Sequence, residues 1–157
     1  MDRRDVDVVP LRDVTVARDL NRIFLPVRYD DRFYDAVMAS GLSFVAADGD
    51  EPIGLVCCSL ESPTRVYIGS LGVKATYRGR GLATRLITRV LDESVEMNVE
   101  SIYLHVQANN DTALDLYERL GFIRVGKVDN YYKRVKPSTA FILERRLHSA
   151  VHNGTIN

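Results

Sequence analysis

Val66-Tyr67-Ile68-Gly69-Ser70-Leu71-Gly72-Val73-Lys74-Ala75-Thr76-Tyr77-Arg78-Gly79-Arg80-Gly81-Leu82-Ala83-Thr84 is the stretch that decides the fold. It opens as an apolar run of strand length, Val66 to Val73, and passes through two closely spaced glycines. A different period follows: Leu82, Leu86, Ile87, Val90, Leu91 and Val95 recur at threes and fours, which predicts a long amphipathic helix. Ser101 to Gln107 then alternates, Ile102, Leu104 and Val106 on one face and Tyr103, His105 and Gln107 on the other. Strand, helix and strand in that order form a right-handed parallel crossover. Gly79 and Gly81 let the backbone turn tightly and approach a ligand. The first N–H groups of the helix point outward unpaired and, with the helix dipole, make an anion site. Arg78 and Arg80 add positive charge there. On the glycines alone, a plain turn with solvated arginines fits as well. A P-loop does not fit, because Gly81-Leu82-Ala83 stands where Gly-Lys-Ser/Thr is needed. The dinucleotide fingerprint fails too, since Thr84 replaces its third glycine.

Working outward, Val6 to Leu11 can open a sheet. Asp13 reads as the N-cap of a helix with Val14, Ala17, Leu20 and Ile23 to Phe24 on its apolar face. Leu25 to Tyr29 breaks it. Asp30 or Asp31 starts a second helix through Phe33, Tyr34, Val37 and Met38, which Gly41 ends. Strands are predicted over Leu42 to Ala47 and Ile53 to Leu60, joined by the turn Asp48 to Pro52. After the crossover, Asn110 or Asp111 caps a helix through Tyr117 and Leu120, stopped by Gly121. Phe122 to Val128 and Thr139 to Leu147 complete the pattern as strands around a loop. The order β-α-α-β-β-β-α-β-α-β-β predicts an α/β fold, one central mixed sheet flanked by helices on both faces. We expect one domain over residues 1–147 and a short polar tail over 148–157.

Equal numbers of basic and acidic residues, 21 each, argue against a generic nucleic-acid binder. No apolar run reaches the ~20 residues that cross a bilayer, and no secretory signal follows Met1. Cys57 and Cys58 point to opposite faces of a strand, poorly placed to bridge each other, and read as small buried hydrophobes. A cytoplasmic, reducing setting suits them, and no metal is called for.

Arg78-Gly79-Arg80-Gly81-Leu82-Ala83 matches the Gln/Arg-x-x-Gly-x-Gly/Ala signature, and Asn110-x-x-Ala113-x-x-x-Tyr117-x-x-x-Gly121-Phe122 matches a second cofactor element, so the chain resembles the GNAT acetyltransferases from about Val6 to Leu147. Four further segments carry a narrower likeness to NatE-type N-terminal acetyltransferases. They are Pro26-Val27-x-Tyr29, Tyr67-Ile68-x-Ser70-Leu71-Gly72, Tyr103-Leu104-His105-Val106-Gln107 and Asn130-Tyr131-Tyr132-Lys133-Arg134-Val135-x-Pro137. The resemblance implies acetyl-CoA as cofactor, its pyrophosphate held by Arg78 to Thr84. It places Leu71, Gly72 and Val73 along the cofactor, with the backbone of Leu71 and Val73 offered to the carbonyl oxygen, and Asn110 and Tyr117 near the thiol. It implies protein N-termini as substrate, those retaining Met foremost, and a place in the NatA complex of auxiliary and catalytic chains.

The chemistry is attack of a neutral amine on a thioester. An α-amine, with a pKa of about 7.7–8.0, needs only a mild base, whereas a lysine at about 10.4 is almost wholly charged. The resemblance gives Tyr67 and His105 as holders of a water that takes the amine proton. With a tyrosine pKa near 10, His105 is the better acceptor. A structural histidine and a half-buried strand tyrosine are the plainer readings. Tyr117 reads either as proton donor to the thiolate or as a core aromatic. For the peptide, the resemblance implies Leu25, Pro26, Val27, Tyr29, Gly69, Tyr131 and Tyr132, with Tyr29 and Tyr131 hydrogen-bonding its backbone. Leu25 stands where Phe is expected and Gly69 where Met is expected, so both predict less bulk beside the first substrate residue. A lysine, polyamine or antibiotic acceptor and a silent interaction subunit are the rival readings.

Overall fold

The computed structural model describes residues 6–25 and 28–147; Pro26, Val27 and the tail over 148–157 lie outside the described residues. In chain order the elements are β1 (Val6–Pro10), α1 (Val14–Phe24), α2 (Asp31–Ser40), β2 (Phe44–Asp48), β3 (Glu51–Ser62), β4 (Arg65–Val73), α3 (Leu82–Glu96), β5 (Ser101–Gln107), α4 (Asp111–Arg119), β6 (Ile123–Val128) and β7 (Ala140–Arg146). The helices start where short polar side chains can replace the missing backbone partners. Asp13 accepts from the Thr15 N–H at 2.9 Å, Asp30 from Phe33 at 3.1 Å and Asn110 from Ala113 at 3.2 Å. Each such cap stabilises by about 1 kcal/mol. Gly41 ends α2 in the left-handed region, at a φ of 69°.

The strands form one sheet in the order β1-β2-β3-β4-β5-β7-β6. Among the described residues only β4 and β5 pair in parallel, as the crossover requires. The last strand enters between β5 and β6, antiparallel to both. Tyr67 thereby lies opposite Tyr103, two residues from His105 on the same face of β5.

One face of the sheet is covered by α3 and α4. Leu82, Leu86, Ile87, Val90 and Leu91 of α3 and Leu114 and Tyr117 of α4 are buried there with Ile68, Ile102, Leu104 and Val106. Each large apolar side chain so buried contributes about 2 kcal/mol. The other face carries α1 and α2, with Ala17, Leu20, Tyr34 and Val37 packed on Val45, Leu55 and Cys57. Cys57 and Cys58 therefore do face opposite cores, and both are free thiols. Burial pushes the Cys57 thiol up to about 11, which leaves it protonated and inert.

Three details differ from the sequence pattern. Ile23 is 64% exposed, and buried Asn21 takes its place, because Ala17, Leu20, Asn21 and Phe24 form the stripe that meets the sheet. In α3 the stripe passes through Ser94 instead of Val95, in step with Ile87, Val90 and Leu91. Leu42 and Ser43 precede β2 without joining it; Ser43 Oγ instead accepts from the Cys58 N–H at 2.8 Å and so ties this entry to β3. Among the described residues no helix is long and apolar enough to cross a membrane.

Candidate active site

The site exists because two parallel strands part. β4 pairs with β5 only from Arg65 to Ile68, although β4 runs on to Val73 and β5 to Gln107. The separation coincides with a bulge. Cys57 pairs with Ser70 and Cys58 with Ile68, which leaves Gly69 as the extra residue on β4. Beyond it β4 keeps β3 on one edge and faces a wedge on the other. A cleft of about 380 Å³ fills that wedge, between Leu71 on one wall and Val106, Asn110 and Ala113 on the other.

Tyr67 and His105 meet at the point of parting. The Tyr67 hydroxyl lies 3.0 Å from His105 Nδ1 and 3.5 Å from the Tyr131 hydroxyl. The Tyr131 ring stacks on the imidazole at 4.4 Å between centroids, 13° from parallel. Burial lowers the His105 pKa, opposed by the Glu61 carboxylate, so the imidazole is neutral at neutral pH. Burial foremost, then the neighbouring tyrosines, pushes Tyr67 far up, so Tyr67 stays protonated. With its Nδ1 unprotonated, the neutral imidazole accepts the Tyr67 O–H proton, leaving the lone pairs of Tyr67 free to accept from a third group. The pair can thus pass a proton from the cleft to the ring without ionising the tyrosine for long.

At the donor end, Gly79 and Gly81 both hold positive φ, 77° and 75°. Gly81 is the N-cap of α3 and provides no side-chain partner for the first turn, which Leu82, Ala83 and Thr84 occupy. The helix start is therefore open to an anion. Arg78 Nε turns back to donate to the Val73 carbonyl at 3.0 Å, bracing the loop against the end of β4, and both Arg78 and Arg80 remain exposed. Both Asn110 and Tyr117 line the cleft. Asn110 spends its side-chain oxygen on capping α4. The Tyr117 ring packs edge-on to Phe122 at 5.3 Å. Burial raises its pKa, so it remains a neutral donor beside any thiolate placed in the cleft. It is at once a core aromatic and a cleft residue.

At the acceptor end, Leu25, Tyr29, Gly69, Tyr131 and Tyr132 all line the same cleft. Pro26 and Val27 lie outside the described residues. Two contacts bear on these expectations. The Tyr29 hydroxyl donates to the Gly69 carbonyl at 2.7 Å, so for a peptide backbone it retains acceptor lone pairs only. Gly69 does not open space either, because the Phe33 ring occupies the place of its missing side chain. Three residues outside the initial selection contribute. Phe24 lines the cleft and seats on Gly72, Phe33 backs Tyr29, and Gln107 Nε2 donates to the Pro137 carbonyl at 3.0 Å. The last contact ties the end of β5 to the loop bearing Tyr131 and Tyr132. Two glycines on one sheet face, within four residues, were the available signal that something large sits above β4.

Comparison with known proteins agrees with this geometry. Residues 14–122 match the model of the acetyltransferase (GNAT) family. N-alpha-acetyltransferase 50 of Danio rerio is 36% identical over 91% of this chain and 88% of its own length. The probable N-acetyltransferase san of Drosophila melanogaster is 35% identical over 94% of this chain and 82% of its own. Among solved structures, Arabidopsis thaliana Naa50 in complex with the bisubstrate analogue CoA-Ac-MVNAL superposes with a TM-score of 0.85. It is 35% identical, and the match covers 91% of this chain and 99% of that one. A splayed pair of parallel strands, an uncapped helix start at the donor end and relatives of this kind over nearly the whole length lead to one conclusion: the chain belongs to the GNAT acetyltransferase family, on its N-terminal acetyltransferase branch.

Proposed function

We propose that this enzyme transfers the acetyl group of acetyl-CoA to the α-amine of protein N-termini, with Tyr67 and His105 as its proton-handling pair. The observation that carries the reading is the 3.0 Å contact between the Tyr67 hydroxyl and His105 Nδ1 where the strands part. Acetyl-CoA supplies the acetyl group already activated as a thioester. The donor end fits it: a helix start without a side-chain cap, two left-handed glycines and exposed Arg80 suit phosphates, and the wedge beside Leu71 suits an extended chain.

The α-amine enters between Tyr29 and Tyr131 and attacks the carbonyl carbon. As the C–N bond forms, the nitrogen becomes positive and must lose a proton. A water held by Tyr67 and His105 collects that proton, and His105, neutral because it is half-buried, is its destination. The backbone N–H groups of Leu71 and Val73, beyond the last β5 partner, would be available to the oxygen on which charge develops. Tyr117, kept protonated by burial, would donate a hydrogen bond to the sulfur that leaves with the electron pair of the broken C–S bond.

The acceptor wall is apolar and aromatic, which supports a large first residue such as Met. The Arabidopsis relative is bound to an analogue whose peptide part begins Met-Val. Free, buried cysteines suit action in the cytoplasm. Association with the NatA complex, implied by the NatE-type resemblance, belongs to the same reading and is read out by co-purification with the auxiliary chain.

A peptide beginning Met-Val with a free α-amine, compared with its N-blocked, lysine-containing version, tests the acceptor. We expect acetyl transfer to the free peptide alone. Turnover confined to the blocked peptide overturns the assignment in favour of lysine. Varying the first two residues then measures the Met preference.

A further inference from the structure

The connection between α1 and α2 carries Leu25 and Tyr29 to the cleft, and an aromatic ring sits on a β4 glycine at each end of it. A Cβ built on Gly72 would lie 2.8 Å from Phe24 Cδ1, with nearer atoms of that ring closer still. A Cβ built on Gly69 would lie 2.6 Å from Phe33 Cζ and would overlap Cε1. Neither glycine is among the glycines with positive φ. They are therefore required for space and not for backbone freedom. Phe24 is the last residue of α1, and Phe33 lies in the first turn of α2.

Phe33 stands outside the cleft, yet it governs a residue inside it. The Tyr29 ring stacks on the Phe33 ring with centroids 3.7 Å apart and planes 14° from parallel. The Tyr29 hydroxyl reaches the carbonyl of Gly69, the same residue whose face Phe33 covers. Phe33 is itself fixed by its N–H, which donates to the Asp30 cap at 3.1 Å, and by edge contact with Tyr34 at 5.2 Å. Arg18 of α1 pairs with Asp31 at 2.7 Å and holds the start of α2 against α1. Gly69, Phe33 and Tyr29 therefore form one packed unit, with the bulge of β4 at its base.

We infer that Phe33 is a positioning residue for the acceptor: it fills the side-chain space of Gly69 and holds Tyr29 against the Gly69 carbonyl, and so sets the wall that the first residue of an incoming peptide meets. The inference rests on the acceptor assignment proposed above. Its consequence is that the glycine in β4 does not enlarge the pocket, and a large apolar first residue still meets a closed aromatic wall. Size selection at that residue is exercised from α2, by a side chain that does not touch the substrate.

A size exchange tests this. Phe33→Ala removes the ring behind Tyr29; Gly69→Met puts a side chain into the space the ring now fills; the double variant lets the flexible Met occupy the volume that Phe33 vacates. For Phe33→Ala we expect the peptide KM to rise about tenfold, the equivalent of about 1.4 kcal/mol. The acetyl-CoA KM should change by less than about threefold, since the donor loop does not touch Phe33. Gly69→Met alone should raise the peptide KM at least as much. The double variant should return it to within about threefold of the parent, a rescue that independent damage does not produce. Thermal unfolding of each variant separates loss of fold from loss of wall. Should Phe33→Ala not fold, Phe33→Leu, paired with Gly69→Ala, reads the same exchange at smaller amplitude. A double variant as impaired as Phe33→Ala, or a loss in kcat at unchanged peptide KM, overturns the inference. Parent enzyme that acetylates lysine in place of the α-amine overturns the proposed acceptor instead, and the exchange pattern measured with lysine peptides still decides the role of Phe33.

Discussion

The donor half and the acceptor half of the cleft are built in opposite ways. The donor half is local: β4, the loop with Gly79 and Gly81 and the start of α3 follow one another, and Arg78 braces a carbonyl only five residues away. The acceptor half is assembled from remote segments. Tyr29 bonds to Gly69 across 40 residues, and Tyr67 meets Tyr131 across 64. A local half keeps its shape through backbone conformation, whereas a remote half keeps it through packing. Substitutions should therefore separate into those that change acetyl-CoA handling and those that change peptide handling. Tyr67 and His105, at the junction, should belong to neither class.

The largest effect is expected at that junction. Tyr67→Phe and His105→Ala should each lower kcat by about 10²-fold, the scale of a lost acid–base group. If they act as one relay, the double variant should lose little more than either alone. Steady-state rates on the free peptide check this, and fully multiplicative losses would count against a shared proton path. Gly81→Val comes next. It forces a β-branched residue into the left-handed region at a φ of 75°. A strain of about 1–2 kcal/mol should weaken acetyl-CoA binding about tenfold by calorimetry while the peptide KM stays near its parent value. Unchanged cofactor affinity would mean that the helix start is not where the phosphates sit.

The pH profile sharpens the junction further. His105 acts as acceptor only when neutral. Its pKa is lowered by burial, so the acid limb of kcat should lie below pH 6.5, the ordinary histidine value. The Glu61 carboxylate opposes that lowering, so Glu61→Gln should move the limb further to acid. A limb displaced above the ordinary value would contradict the neutral-imidazole reading. The smallest effect should come from Arg80→Ala. This exposed arginine supplies charge without a fixed partner closer than the Thr76 carbonyl at 3.5 Å. A two- to threefold rise in acetyl-CoA KM, fading with added salt, is about what an exposed charge gives.

The residues themselves determined the order of elements, the Asp13 cap, the parallel crossover and the face of β5 that bears His105, and narrowed two further caps to Asp30 or Asp31 and Asn110 or Asp111. Each of these rests on period, capping chemistry or glycine conformation, which act within a few residues. The tertiary structure alone decided that Gln107 ties β5 to the loop bearing Tyr131, that β7 enters between β5 and β6, and that Phe33 fills the space over Gly69. Those outcomes depend on which distant surfaces meet. A glycine read in isolation looks like room in the pocket, and it becomes a packed wall once α2 lays a ring across it.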